Sequence, residues 1–200
     1  MREVALFCED SFHEHFVRAL LARFQRERHI KVDSKFYSAR GGLPKMQGEF
    51  RDFLRDLDSD RKTVPDWVVV VADANCLGMN NRKAQFDRVL DQRFAKFQQI
   101  VSYAIPDPHI ERWMLVDPQG FQQVFGRGCT LPAVKCAKDE YKNLLRREIR
   151  LSGIDAPLGG EEFAEEIVDA MDLATAEIRE PSLGSFLQAV KGRFNVWAQQ

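Results

Sequence analysis

Long apolar runs, paired cysteines and an excess of charge of either sign are all missing from this sequence. Twenty-nine Lys and Arg stand against 30 Asp and Glu, for a formal charge of -1, so the chain has no overall positive field with which to gather a polyanion. Any nucleic acid must be met by a local patch or by a partner. No stretch approaches the ~20 consecutive apolar residues of a membrane span, and the opening Met1-Arg2-Glu3 with its short apolar continuation lacks a signal-peptide layout. The expectation is a cytoplasmic protein with no membrane. The four cysteines, Cys8, Cys76, Cys129 and Cys136, form no C-x-x-C pair, which argues against a zinc ribbon or a disulfide framework and predicts reduced intracellular thiols. Internal repeats, low-complexity tracts and nucleotide-binding motifs are absent as well.

What is present is enough apolar side chain, 44% of 200 residues, to bury a core. Residues 4–8 read as a strand, and from Phe12 the apolar positions Phe12, Phe16, Leu20 and Phe24 fall four apart, as on a helix. Residues 30–37 alternate like a second strand, residues 39–44 read as a loop, and Phe50, Phe53, Leu54 and Leu57 mark another helix. Residues 67–72 are a continuous valine-rich run, as expected of a central parallel strand covered on both faces. Phe86, Val89, Leu90, Phe94 and Phe97 predict a further helix, and residues 100–105 a fourth strand. This alternation predicts an α/β fold, a three-layer sandwich around a mostly parallel sheet over residues 1–131. Residues 132–200 read as a helical C-terminal region packed on that core. Its stripes are Ala137 to Ile149, residues 162–178 and, after an interruption at Pro181-Ser182-Leu183, residues 186–197.

In a parallel sheet, residues just past the carboxyl ends of strands gather along one edge, where such folds place ligands. Glu9 follows the first strand, Asp73 and Asn75 follow the central one, and Glu111 opens the segment after the fourth. An extended backbone would send Asp73 and Asn75 to the same side. Hard oxygen donors of this kind suit Mg2+ or Mn2+, which share their coordination with water and phosphate oxygens.

Three segments carry a resemblance: Phe7-Cys8-Glu9-Asp10-Ser11 leading into a helix, the valine strand ending in Asp73-Ala74-Asn75, and Ile110-Glu111-Arg112-Trp113-Met114-Leu115-Val116-Asp117. Together with Gly41-Gly42 and Pro181-Ser182-Leu183-Gly184-Ser185-Phe186 they resemble a Toprim-like family of small proteins. Its members are often encoded beside ABC or AAA ATPases, in the manner of OLD-type nucleases and anti-phage modules. The resemblance implies a metal-dependent nuclease or phosphodiester-acting subunit of an ATPase-associated complex. Glu9, Asp73 and Glu111 would be catalytic, and these three with Asn75 would be the metal ligands. Two departures are present: Asn75 replaces the second aspartate of the usual Asp-x-Asp pair, and Asp10 stands where a glycine is usual. The first of these favours the alternative, a non-catalytic subunit of the same fold that binds a partner protein.

Four further groups have both a functional and an ordinary reading. His13-Glu14-His15 reads as a solvated helix face, because consecutive helical residues point in different directions. His109, between Asp107 and Glu111, could assist proton transfer and reads more simply as a loop histidine. Lys135, Lys138, Lys142 and Arg146 recur at helical spacing, as a track for a phosphate backbone or as the solvated side of a helix. Arg40, Gly41, Gly42 and Lys45 lack the P-loop pattern and mark a turn. The expected partners are an ABC- or AAA-type ATPase and DNA or RNA, with homo-oligomerisation left open. A receiver-like phospho-acceptor, with Asp73 taking the phosphoryl group, is disfavoured by the helical region after Pro132 and by Glu111-Arg112-Trp113.

Overall fold

A computed structural model describes every residue except Ala39, Arg40, Pro132, Val134, Lys135 and Lys138, and every remaining side chain except those of Ser38, Asp91 and Gln92. Strand β1 (Arg2–Cys8) is joined to β2 (Val32–Ser38) by helix α1 (Ser11–Arg28). Helix α2 (Gly42–Asp58) leads to β3 (Trp67–Val71). Helix α3 (Met79–Phe94), continued by a 3-10 segment over Ala95–Ile100, leads to β4 (Val101–Ala104). All pairings are parallel, in the order β2-β1-β3-β4.

The strands alternate between two apolar clusters, as a sheet covered on both faces requires. Val4, Leu6 and Cys8 of β1 and Trp67, Val69 and Val71 of β3 meet Phe16, Leu20 and Phe24 of α1. Ala5, Phe7, Val68 and Val70 face the other way, against Phe50, Phe53 and Leu54 of α2 and Phe86 and Leu90 of α3. The chain is therefore an α/β three-layer sandwich. Phe7 anchors the second layer by stacking on Tyr37 at 4.7 Å and meeting the Phe50 and Phe53 rings edge-on at 5.3 and 5.1 Å. Burying a side chain of this size contributes roughly 1.5–3 kcal/mol. Since the helix after β1 lies on one face and the helix after β3 on the other, the chain reverses its winding between these two central strands. A crevice opens there at their carboxyl ends.

Among the described residues six further helices follow: α4 (Ile110–Met114), α5 (Pro118–Phe125), α6 (Glu140–Arg150), α7 (Ala164–Ala170), α8 (Leu173–Arg179) and α9 (Pro181–Ala198). Their apolar sides share one cluster with β1, β3 and α1, through Trp113, Phe121, Leu145, Ile167, Phe186 and Phe194 among others. Helix α9 lies against β4 and reaches β3 through Trp67, which stacks on Phe186 at 6.4 Å and stands edge-on to Trp197 at 6.1 Å. None of the described helices is long and apolar enough to cross a membrane.

Four expectations need correction. Helix α2 starts at Gly42, inside the stretch read as a loop, because Pro44 occupies its first turn, where a missing N–H costs nothing. Residues 162–178 are not one helix but break at Met171 and Asp172, and Asp172 caps α8 by accepting from Ala174 N and Thr175 N. Pro181 does not precede the last helix but opens it, at the position proline favours. The thiols are not all free: Cys76 and Cys136 are joined in a disulfide, with Cα atoms 5.2 Å apart. Cysteines sixty residues apart in sequence carry no spacing signal, so the bond was invisible before the fold brought them together.

Candidate functional site at the carboxyl ends of the central strands

Asp10 caps α1, accepting from the His13 backbone N–H at 3.1 Å, and this fixes the first turn of the helix beside Glu9. The His13 ring is then directed into the crevice and is 1% exposed. Its Nδ1 is 2.7 Å from Asp10 Oδ1 and its Nε2 is 3.0 Å from Asp73 Oδ1. An ionised carboxylate only accepts, so a ring flanked by two of them donates from both nitrogens and is an imidazolium. The solvated-face reading of His13 is thus corrected. His13, Phe16, Val17 and Leu20 lie three, four and seven apart, so His13 shares the buried stripe of α1. Two carboxylates rather than water satisfy the ring.

Asp73 is the hub. Oδ1 accepts from His13 Nε2 and from Ile110 N at 2.9 Å, and Oδ2 accepts from His109 Nδ1 at 2.8 Å. Burial pushes the Asp73 carboxyl up, but the His13 charge and the bonds from both imidazoles outweigh it and hold the group below the usual aspartate range. Burial opposes the His13 charge too, yet Asp73 and Asp10 raise its pKa well above that of free imidazole. The bond to Asp73 raises His109 as well. Burial also raises Asp10, but its bonds and attraction to His13 dominate and bring it down to about 2. Glu9 and Glu111 move in the opposite direction. Burial raises each, with repulsion from Asp73 adding to it and the positive charge of His13 subtracting.

Glu9 reaches the hub through its Oε2, which accepts from Asp73 N at 3.3 Å. Glu111, in the first turn of α4, joins Asp73, Asn75, His109, Asp139 and Lys142 in lining a cleft of about 220 Å3. Asn75 is not brought to the side of Asp73 by an extended backbone, since β3 ends at Val71 and Asn75 begins a 3-10 turn with φ of 51°. It reaches the cleft by that turn, pinned where Asn75 N donates to Pro108 O at 2.9 Å. Neighbouring Cys76 then ties the turn to Cys136, three residues before Asp139.

The segment around Glu111 is held by its neighbours. Arg112 makes a buried ion pair with Glu180, and Trp113 Nε1 donates to Ser182 Oγ at 2.8 Å, while Ser182 donates to Glu180 Oε1 at 2.7 Å. Asp117 caps α5 through Gln119 N at 3.1 Å and accepts from Asp172 N at 2.8 Å. Of the residues singled out from Ile110 to Asp117, therefore, Glu111 faces the cleft, whereas Arg112 and Trp113 fasten α4 to the start of α9 and Asp117 joins α5 to the start of α8. The Pro181-Ser182-Leu183 segment is the other half of that fastening.

The basic face is divided. Lys142 lines the cleft, whereas the Arg146 guanidinium lies over Gly159, where a Cβ would meet its Nε at 3.0 Å. Lys135 and Lys138 fall outside the described residues, as does Arg40. His109, read as a plain loop histidine, is instead locked to Asp73.

Comparison with known proteins identifies no relative. No family model, no curated protein and no solved structure matches the chain. The chemistry of the site must therefore be read from its own residues. Glu9, Glu111 and the Asn75 amide oxygen are hard donors of the kind that fit Mg2+ or Mn2+. Asp73 fits less freely, because three hydrogen bonds already occupy its oxygens. Among the described residues no three His, Cys, Asp or Glu side chains are grouped as a metal shell.

Proposed function

We propose that this chain is a Toprim-like, Mg2+- or Mn2+-dependent subunit acting on phosphodiester bonds of DNA or RNA, in company with an ABC- or AAA-type ATPase. The observation that supports it is that Glu9 and Glu111 each lie beside Asp73 at the strand-end edge, Glu9 on its backbone N–H and Glu111 in the cleft with it, their carboxyls held up by burial and by the Asp73 charge. Crowded carboxylates of this kind are relieved by a cation. A bound divalent ion would supply Lewis acidity and a water of lowered pKa. Glu9 and Glu111 would hold it, with the Asn75 oxygen as a neutral donor.

The chain's own residues supply the rest. Asp73 fixes the tautomer and direction of His109 through Nδ1 and leaves Nε2 as the nitrogen that exchanges a proton in the cleft. Lys142 offers a cation to a phosphate oxygen at the cleft mouth. His13 keeps Asp73 ionised from behind. An ATPase partner is consistent with a chain that has a charge of -1 and no nucleotide motif of its own.

A second reading, a non-catalytic subunit that binds a partner, is favoured by one observation: His13, His109 and Ile110 N already engage both Asp73 oxygens. Cleavage of plasmid, single-stranded DNA and RNA with Mg2+ or Mn2+, by the chain alone and by the co-purified complex, separates the two. Loss of cleavage in Glu9→Gln and Glu111→Gln is expected. Inactive wild type in every arm, with partner binding intact, selects the non-catalytic subunit.

A further inference from the structure

On the face of the sheet opposite α1, helices α2 and α3 both begin at the strand-end edge, and a groove of about 400 Å3 opens between them. Its walls include Leu43, Gln47 and Arg51 of α2 and Arg82, Gln85 and Arg88 of α3, and among the described residues no acidic one lines it. Arg82 is only 6% exposed, a burial arginine tolerates when it is paired. Its partners are all neutral: Nε donates to Asp73 O at 2.8 Å, Nη1 to Gln85 Oε1 at 2.8 Å and Nη2 to Ala74 O at 3.5 Å. Among the described residues no carboxylate pairs with it, and none pairs with the exposed Arg51 or Arg88. Three guanidinium groups thus face one groove with their charge unbalanced, although surface cations elsewhere on α2 and α3 are matched, as in Lys45–Glu49, Arg55–Asp52 and Lys83–Asp87.

The geometry points to this groove as the seat of a phosphodiester backbone, with Arg51 and Arg88 each taking a phosphate and Arg82 linking the bound strand to the Asp73 turn. The inference rests on the phosphodiester reading of the site and adds where the polymer runs. We take a single strand as the form bound, because the Gln47 and Gln85 amides beside the arginines can bond exposed sugar or base edges without a sequence code. Because Arg82 holds the Asp73 carbonyl, a strand seated beside Arg82 reaches the turn that carries Asp73 and Asn75.

The test is fluorescence anisotropy of a labelled single-stranded DNA and its RNA counterpart over a salt series, with the full chain, an Arg51→Gln/Arg88→Gln variant and a charge-matched Arg28→Gln/Arg179→Gln control. Arg28 and Arg179 are exposed at the ends of α1 and α8. The groove variant is expected to bind roughly tenfold more weakly and to lower the slope of log affinity against log salt by about 1.4, or ~0.7 per lost phosphate contact on a single strand. The control is expected to match wild type. Equal loss in both variants, an unchanged slope in the groove variant, or no binding by wild type overturns the assignment. Displacement of the oligonucleotide by poly-glutamate at equal charge also overturns it, in favour of an acidic polypeptide. Cleavage is followed in the same samples with Mn2+. Groove-dependent binding without cleavage upholds the groove while sinking the phosphodiesterase reading, and cleavage indifferent to the groove variant sinks the groove alone.

Discussion

The arrangement at Asp73 is electrostatic before it is catalytic. Glu9, Asp10, Asp73 and Glu111 crowd one crevice, and the buried His13 imidazolium bridges two of them. Removing it leaves Asp73 buried with less compensation, so His13→Leu is expected to cost roughly 3–5 kcal/mol, the range for breaking a buried ion pair, as read by urea denaturation. His13→Gln, which still donates a hydrogen bond, should cost less. The pH dependence follows from the directions of the shifts. His13 and His109 have folded pKa values above their unfolded ones, so their contribution is fully present below about 6.5 and is lost as pH rises through the folded values. Asp10, depressed to about 2, contributes above its unfolded pKa and loses that contribution as pH falls towards 2. Urea midpoints from pH 6 to 9 should therefore decline for wild type and decline less for His13→Gln. Equal slopes would mean that His13 is not charged in the folded chain.

At the scale of elements, the alternation of four strands and three helices was legible because short continuous or alternating apolar runs give way to apolar positions three and four apart. Glu9, Asp73 and Glu111 were legible for the same reason, since their places follow from where strands end. What was hidden depends on contacts distant in sequence. His13 looked exposed because its partner Asp73 lies sixty residues away, and Arg112 and Trp113 looked like parts of a site motif because Glu180 and Ser182 lie on another helix. The Cys76–Cys136 bond is the plainest instance. With a separation of sixty residues, loop-closure entropy assigns it about 4 kcal/mol of stabilisation. Alkylation in denaturant without reductant is expected to label only Cys8 and Cys129, with the other pair labelled after a dithiol reductant, and reduction should lower the urea midpoint. Four labelled cysteines without reductant would restore the reduced-thiol expectation.

At the scale of the whole molecule, the sequence divides at residue 132 into an alternating part and a helical part, but the apolar cluster does not divide there. Phe24 of α1, Trp67 of β3 and Trp113 of α4 pack against Phe186, Phe194 and Trp197 of α9 at ring distances of 5.6 to 6.4 Å, and Phe16 of α1 meets Trp113 at 5.5 Å. Gly184 brings α9 so close to α8 that a Cβ would meet Glu177 O at 2.5 Å, a backbone atom that cannot swing aside. If residues 132–200 were removed, α1 would still cover part of that side of β1 and β3, but Trp67 and Trp113 would lose their packing on Phe186 and Trp197, and parallel strands need both of their apolar sides covered. The expectation is therefore one cooperative transition. Tryptophan fluorescence, which reports on Trp67, Trp113 and Trp197, and far-UV ellipticity should give coincident urea curves, and a fragment of residues 1–131 should fail to fold. Gly184→Ala should lower the midpoint of that single transition by an amount equivalent to about 1–3 kcal/mol, the usual cost of overpacking, without splitting it. An early ellipticity loss with unchanged fluorescence would instead show that the helical region unfolds independently, and the strand-end site would then rest on the first 131 residues alone.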